Sequence, residues 1–165
     1  MYRTLRAFAA LIPITLMMIA PAQADPSGGF DTSWTDLRGA ALRSAVEKFY
    51  TDTFNDDVQI RRYFSKGYVQ NVDGKTLRFD EFLTHVGFLR SATKSLRFEV
   101  IDAAYTPGLL ADRHRVHIVK TSGESMEAEV LAFFRIENGR IAELNELTQV
   151  IKGAAADREM GSRVR

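Results

Sequence analysis

The stretch from Ser125 to Ile151 limits the fold more than any other part of the chain. It reads SMEAEVLAFFRI, ENG, RIAELNELTQVI: two long alternating runs around an Asn138-Gly139 pair. Asn and Gly tolerate the positive φ that a tight hairpin turn requires, so the spacing predicts two antiparallel strands. Side chains alternate along a strand, which puts Ala142, Leu144, Glu146, Thr148 and Val150 on one face. Four of these are apolar or nearly so and one is an acid. Either Glu146 turns to solvent, or it sits at the centre of a pocket.

The chain before the hairpin predicts helices first and strands later. Trp34, Leu37, Ala41, Ala45 and Phe49 recur at three and four, with Leu42, Val46, Tyr50 and Phe54 widening the stripe. This is an amphipathic helix from Ser33 or Asp36 to about Phe54. A short helix follows over Val58 to Tyr63, capped from Asn55-Asp56-Asp57. Gly67 to Val72 reads as a strand, Asp73-Gly74 as a turn and Lys75 to Leu77 as a stub strand. A third helix spans about Phe79 to Arg90, with His85 at the edge of its apolar arc. Leu96, Phe98 and Val100 then begin a four-stranded meander, whose second strand is Leu109 to Thr121. Helices followed by a meander indicate an α+β domain.

The first 24 residues have the layout of a secretory signal peptide: Arg3 and Arg6, an apolar run from Ala7 to Ala20, then Ala22-Gln23-Ala24. The apolar run is shorter than the ~20 residues that span a bilayer. A periplasmic or secreted bacterial protein is therefore expected, with no membrane attachment after cleavage. Residues 25–32 read as a flexible leader, 33–153 as one domain and 154–165 as a tail outside the core. The whole chain has 22 Lys and Arg against 21 Asp and Glu. Without Arg3 and Arg6 the balance is −1, which argues against nucleic acid as a partner.

Three stretches resemble a known family: YVQNVDG (Tyr68 to Gly74), FFRIENGRIAELNELT (Phe133 to Thr148) and DREMGSR (Asp157 to Arg163). Together with the element order they resemble the SnoaL-like group of the nuclear transport factor 2-like superfamily, over roughly Leu37 to Gly153. The resemblance implies a cone-shaped fold, with a curved antiparallel sheet and N-terminal helices packed over an apolar pocket. It also implies a homodimer through the outer face of the sheet, where Leu131, Phe133 and Arg135 point. It does not imply one chemistry, because members include isomerases, cyclases, dehydratases, hydrolases and binding modules.

The resemblance places Leu144, Glu146 and Thr148 on the pocket side of the last strand, in agreement with the alternation. A carboxyl in an apolar pocket has its proton affinity raised by desolvation and can serve as general acid or base. His85 is its natural companion, since the ring can turn from the third helix over the sheet. Asn71 falls where ketosteroid isomerases of this fold carry their proton-abstracting aspartate; it cannot titrate but can orient a polar ligand atom. Ala132 falls near the acid that binds the developing oxyanion in those enzymes, and alanine has no donor. Gln149 replaces the His expected after ELT. Tyr50 lies where some superfamily enzymes use a tyrosine of the first helix. On the 109–121 strand, His114, Val116 and Ile118 share one face and His117 the other, so the two histidines do not chelate one ion. With no cysteine and no His-x-x-x-His helix, neither a metal nor another cofactor is expected. A Gly-x-Ser-x-Gly elbow and a Gly-rich phosphate loop are also missing.

Two functions fit. One is a pocket for a small apolar molecule, with Asn71, Tyr50, His114, Leu144, Thr148 and Ala132 around the ligand. The other is a cofactor-independent isomerase, cyclase or dehydratase acting on a small carbonyl compound through Glu146 and His85. A third possibility, a dimer module with no pocket, requires Phe98 and Phe134 to plug the inner face of the sheet.

Overall fold

The computed structural model describes residues 28–154 together with Asp157 and Met160. The signal segment, and the first three residues after it, lie outside the described residues. Three helices precede most of the strands: α1 (Gly39–Asn55), α2 (Asp57–Tyr63) and α3 (Phe79–Ala92). The strands are β1 (Phe64–Val72), β2 (Lys75–Arg78), β3 (Thr93–Thr106), β4 (Leu109–Lys120), β5 (Ser125–Glu137) and β6 (Arg140–Lys152). They form one sheet in the order β2-β1-β6-β5-β4-β3. All neighbours are antiparallel except β1 and β6, which run parallel. This is the α+β arrangement that the sequence predicts, with one parallel pair added.

The first helix begins later than its apolar spacing suggests. Thr32–Asp36 form a separate 3-10 turn, capped by the Asp31 side chain on the Ser33 amide. Arg38 is extended, and Gly39 has a φ of +54°, a conformation that breaks the helical path and that a side chain resists. From Gly39 onward Leu42, Val46 and Phe49 form the buried stripe. Full burial of each such side chain stabilises the fold by roughly 1.5–3 kcal/mol.

Two bulges adjust which residues face inward. In β3, Val100 pairs with His114 and Asp102 with Arg113, so Ile101 is an extra residue. Inward positions shift there from Phe98 and Val100 to Ala103 and Tyr105. The Val100 amide donates to Glu47 Oε1 of α1 at 2.9 Å, so an acid from the helix holds the bent strand. Between β5 and β6 the Asn138-Gly139 turn has positive φ at both residues, as the dipeptide predicts. Just beyond it Ala142 is the extra residue, and Ile141 takes the core position instead. The expected inner face of the hairpin thus begins at Leu144 rather than Ala142.

The described part of the leader is not loose. Phe30 is buried, with its ring 4.6 Å from Trp34 and 5.2 Å from Tyr63. Its amide donates to the Gly139 carbonyl at 3.1 Å. A Cβ on Gly29 would stand 2.1 Å from the Tyr63 ring, so only glycine lets the strap approach this closely. The expected flexible segment 25–32 is therefore corrected at Gly28 to Thr32: one aromatic anchor in a polar, Gly-rich run fixes it.

Candidate functional site

Between the helices and the inner face of the sheet lies a cavity of about 150 Å³. The strand register explains why it exists. The inward residues of β5 are Met126, Ala128, Val130, Ala132, Phe134 and Ile136, and Ala128, Val130 and Ala132 among them are small. On one side β4 contributes Asp112, His114, Val116 and Ile118; on the other β6 contributes Leu144, Glu146 and Thr148. Cross-strand pairing arranges them in rows. Asp112, Ala132 and Glu146 form one row, and His114, Val130 and Thr148 form the next. Small side chains on the middle strand leave space between the polar groups of the two outer ones. Phe98 and Phe134 line this space without filling it.

Glu146 sits at the cavity wall, and Gln70 Nε2 of β1 donates to its Oε1 at 3.1 Å. Burial pushes the Glu146 carboxyl up to about 8; the Gln70 hydrogen bond opposes this, and the charges of Asp73 and Asp112 add to it. The group is mainly protonated at neutral pH and is then a hydrogen-bond donor. Among the described residues, three buried polar atoms nearby or in the adjoining core have no partner: Gln70 Oε1, Thr148 Oγ1 and Tyr68 OH. Orphaned buried polar atoms are uncommon and call for a structural reason.

A second polar unit stands on the other side of the row. Asp112 is buried and accepts the Tyr50 hydroxyl at 2.9 Å on Oδ2, while His114 Nδ1 lies 2.6 Å from Oδ1. The Tyr50 ring stacks on Phe98 at 4.9 Å and lies 4.3 Å from the His114 ring. Burial, and next the Asp112 charge, push the Tyr50 phenol well above its ordinary range, so it remains a donor. His114 and Tyr50 border the cavity, with Asp112 behind them.

The structure gathers most of the residues singled out in the sequence. Glu146, His85, Tyr50, His114, Leu144 and Thr148 all border the one cavity. His85, expected at the edge of its helix, is buried. Ala132 is buried between Asp112 and Glu146. Asn71 is the correction. It points to the opposite face, where its Nδ2 donates to Asn145 Oδ1 at 2.9 Å and its Oδ1 accepts from Thr76. The physical reason is period two: in Tyr68-Val69-Gln70-Asn71-Val72 the odd member of the inward set is Gln70, not Asn71. The sequence reading missed Gln70, which borders the cavity. Asp112 was also missed, although the alternation through His114, Val116 and Ile118 extends to it.

The tail is corrected as well. Asp157 and Met160 are buried and border the cavity. Lys120 Nζ donates to Asp157 Oδ1 at 2.5 Å, and the Ala154 amide donates to Asp157 Oδ2 at 2.8 Å. Met160 packs with Ile118, Met126 and Ala128. Among the described residues no group of three or more His, Cys, Asp or Glu side chains converges as a metal site would require.

Three helices on a mixed, mostly antiparallel six-stranded sheet define the nuclear transport factor 2-like class. The fold is shared with solved SnoaL-like structures. An uncharacterized protein of Schizosaccharomyces pombe is 36% identical to it over 115 residues, which span 70% of this chain and 88% of the yeast protein. No family model matches the sequence. Solved structures share the fold at low identity. AclR of Streptomyces galilaeus, a candidate hydroxylase, superposes with a TM-score of 0.58 at 15% identity, covering 76% of this chain and 88% of AclR. IdmH of Streptomyces antibioticus, a candidate polyketide cyclase, gives 0.52 at 19%, covering 67% and 88%. A candidate SnoaL-like polyketide cyclase from Jannaschia gives 0.52 at 11%, covering 68% and 91%.

Proposed function

We propose that this SnoaL-like domain holds a small, mostly apolar molecule in its cavity, with the polar end of that molecule at Glu146. The observation that carries the reading is the set of unsatisfied polar groups around one apolar space. Gln70 Oε1 and Thr148 Oγ1 have no partner among the described residues, and the raised proton affinity of Glu146 marks a carboxyl shielded from bulk water. A ligand with one polar group would satisfy these atoms while its apolar body meets Phe54, Phe98 and Leu89. Acid–base chemistry on a carbonyl compound is the second reading; the same neutral Glu146 supports it.

The test is isolation of the protein from its own cell envelope, followed by mass spectrometry of the denatured extract. The Ala128→Phe variant, whose added ring would occupy the cavity, is handled in parallel. A compound carried by the parent and missing from the variant supports the pocket; identical extracts count against it. The protein is further proposed to be exported after cleavage behind Ala24, so the envelope form should begin at Asp25 by intact-mass analysis. It is also proposed to be a homodimer through the outer sheet face, where Leu131, Phe133 and Leu147 are exposed at 45%, 54% and 66%.

A further inference from the structure

We infer that the molecule held in the cavity is a primary amine with a small apolar body, bound as its ammonium ion to Glu146, Gln70 and Thr148. This rests on the cavity holding a ligand. It names the polar end of that ligand, and it makes Gln70 and Thr148 the residues that select for it.

The polar atoms of the wall decide which ligand fits. Among the described residues no lysine or arginine lines the cavity; its basic side chains are the imidazoles of His85 and His114. A carboxylate or phosphate would enter with no fixed cation to meet it, and desolvation opposes that. The open groups are oxygens. Gln70 Oε1 and Thr148 Oγ1 have no partner among the described residues. Gln70 Nε2 takes Glu146 Oε1 at 3.1 Å, while no described residue bonds Oε2. Glu146 and Thr148 stand two apart on β6 and share its inner face, and Gln70 reaches Glu146 from β1, where it pairs with Leu144. An alkyl ammonium carries three hydrogens and no lone pair, which matches these three oxygens. A ketone has no hydrogen to give and an alcohol has one.

The surrounding charge has the sign that favours a cation. Asp112 stands in the row of Glu146 with Ala132 between them, and its oxygens are occupied by the Tyr50 hydroxyl and by His114. It therefore adds to the negative field without competing for the ligand. Asp73, in the turn after β1, accepts the Thr148 amide at 2.8 Å, and its charge acts on Glu146 in the same sense as that of Asp112. Asp157 is paired with Lys120. The phenols of Tyr50 and Tyr68 are pushed up chiefly by burial and stay neutral. An ammonium ion beside Glu146 favours its ionised form, so the carboxyl loses its proton to the buffer as the amine enters. One ammonium is taken up and one proton is released, and the charge of the site is balanced. The carboxyl is shielded from bulk water before any ligand enters, so the ligand adds mainly its own desolvation. A cavity of about 150 Å³ accommodates one six-membered ring.

The experiment titrates the purified protein by calorimetry with cyclohexylmethylamine, cyclohexylmethanol and cyclohexanecarboxylate, which share one body and differ in the polar end. Each is measured from pH 6 to pH 9, and the amine also at pH 7 in two buffers of different ionisation enthalpy, which counts the protons exchanged. The expected result is amine affinity that rises roughly tenfold per unit up to about pH 8 and then levels off, with release of about one proton per amine at pH 7. Above pH 8 the amine should bind about tenfold or more tighter than the alcohol, and the carboxylate should not bind. Glu146→Gln should lower amine affinity about 10- to 100-fold at pH 8.5 and abolish both the pH rise and the proton release. Alcohol binding as tight as that of the amine, or amine affinity that does not rise between pH 6 and pH 8, overturns the inference and leaves the pocket standing. Binding of the carboxylate overturns it too, as does proton release that persists in Glu146→Gln. If none of the three binds, the pocket reading falls for one-ring ligands, and the amine falls with it. The pH slope and the proton count are read on the parent, so they stand even where the variant fails to fold.

Discussion

On the outer face of β3, β4 and β5, Arg113 pairs with Asp102 at 2.8 Å, Arg115 with Glu129 at 3.5 Å and His117 with Glu99 at 2.8 Å. On the inner face of the same strands, Asp112 lies 2.6 Å from His114 Nδ1 and accepts the Tyr50 hydroxyl. Sequence neighbours in ADRHRVH therefore meet opposite conditions. Outside, water already solvates each charge, so a pair adds little and can be lost cheaply. Inside, desolvation dominates, and each polar group needs a partner or a ligand. Two carboxyls show the contrast. The His117 hydrogen bond lowers the Glu99 carboxyl below its ordinary value, whereas burial raises Glu146 to about 8.

The largest test of this contrast is the pH dependence of stability. An unfolded chain releases the Glu146 proton near its ordinary value of 4.5, while the folded protein keeps it to about 8. Between those values the folded state binds the extra proton, so rising pH destabilises it. The contribution is fully present below about pH 4.5, declines through the interval and is gone above about pH 8. The total is on the order of a few kcal/mol. Glu146→Gln removes the ionisation and should flatten this part of the profile. Urea unfolding of both proteins from pH 5 to pH 9 measures it; parallel profiles would mean that Glu146 is solvated like Glu99.

Next comes the cost of removing one partner from each face. Asp112→Ala leaves the Tyr50 hydroxyl and His114 Nδ1 unpaired in a dry setting, with an expected loss of about 3 kcal/mol. Asp102→Ala removes an exposed partner of Arg113, which keeps Glu129 nearby, and should cost under about 1 kcal/mol. Equal costs in chemical denaturation would erase the distinction between the two faces.

The sequence made the hairpin legible because its signals are local. Asn138-Gly139 sets the turn, and alternation places Leu144, Glu146 and Thr148 together. Gln70 was equally accessible to alternation, but the family resemblance drew attention to its neighbour Asn71. Asp112 was obscured by Arg113 and Arg115, since a run of charges usually marks a solvated strand. Other features depend on distant partners. Phe30 is buried only because Tyr63, Trp34 and Tyr105 surround it. Asp157 is held by Lys120, 37 positions away. No local period reports such a pair. The bulges at Ile101 and Ala142 arise from fitting long strands to a bent sheet, and the apolar pattern around them permits either register.

A smaller effect sharpens the reading of the inner face. Thr148 Oγ1 is buried with no partner among the described residues, so Thr148→Val exchanges an unsatisfied hydroxyl for a methyl of similar volume. The ligand-free protein should be unchanged or stabilised by up to about 1 kcal/mol, since removing an orphaned polar atom relieves its desolvation cost. A ligand that bonds Thr148 would reverse the sign in its presence. Thermal unfolding of parent and variant, each with and without the extracted compound, reads both signs; destabilisation of the ligand-free variant would show that the hydroxyl has a partner.

The smallest effect on the folded chain belongs to the outer apolar patch, where Phe133 stands opposite Ala111 on β4 and Asn145 on β6. Its ring is 54% exposed, so within one chain it contributes little packing. Phe133→Glu should change the stability of a single chain by about 0.5 kcal/mol or less, as for most exposed substitutions. In a dimer built on this face, the same change would bury two like charges against each other and separate the subunits. Light scattering on the eluting peak, with parent and variant at the same concentration, distinguishes the cases. A dimeric parent and a monomeric variant of equal fold assign the patch to a second copy. A monomeric parent leaves Leu131, Phe133 and Leu147 as solvent-facing residues, and the outer face is then a surface of paired charges with a bare apolar end.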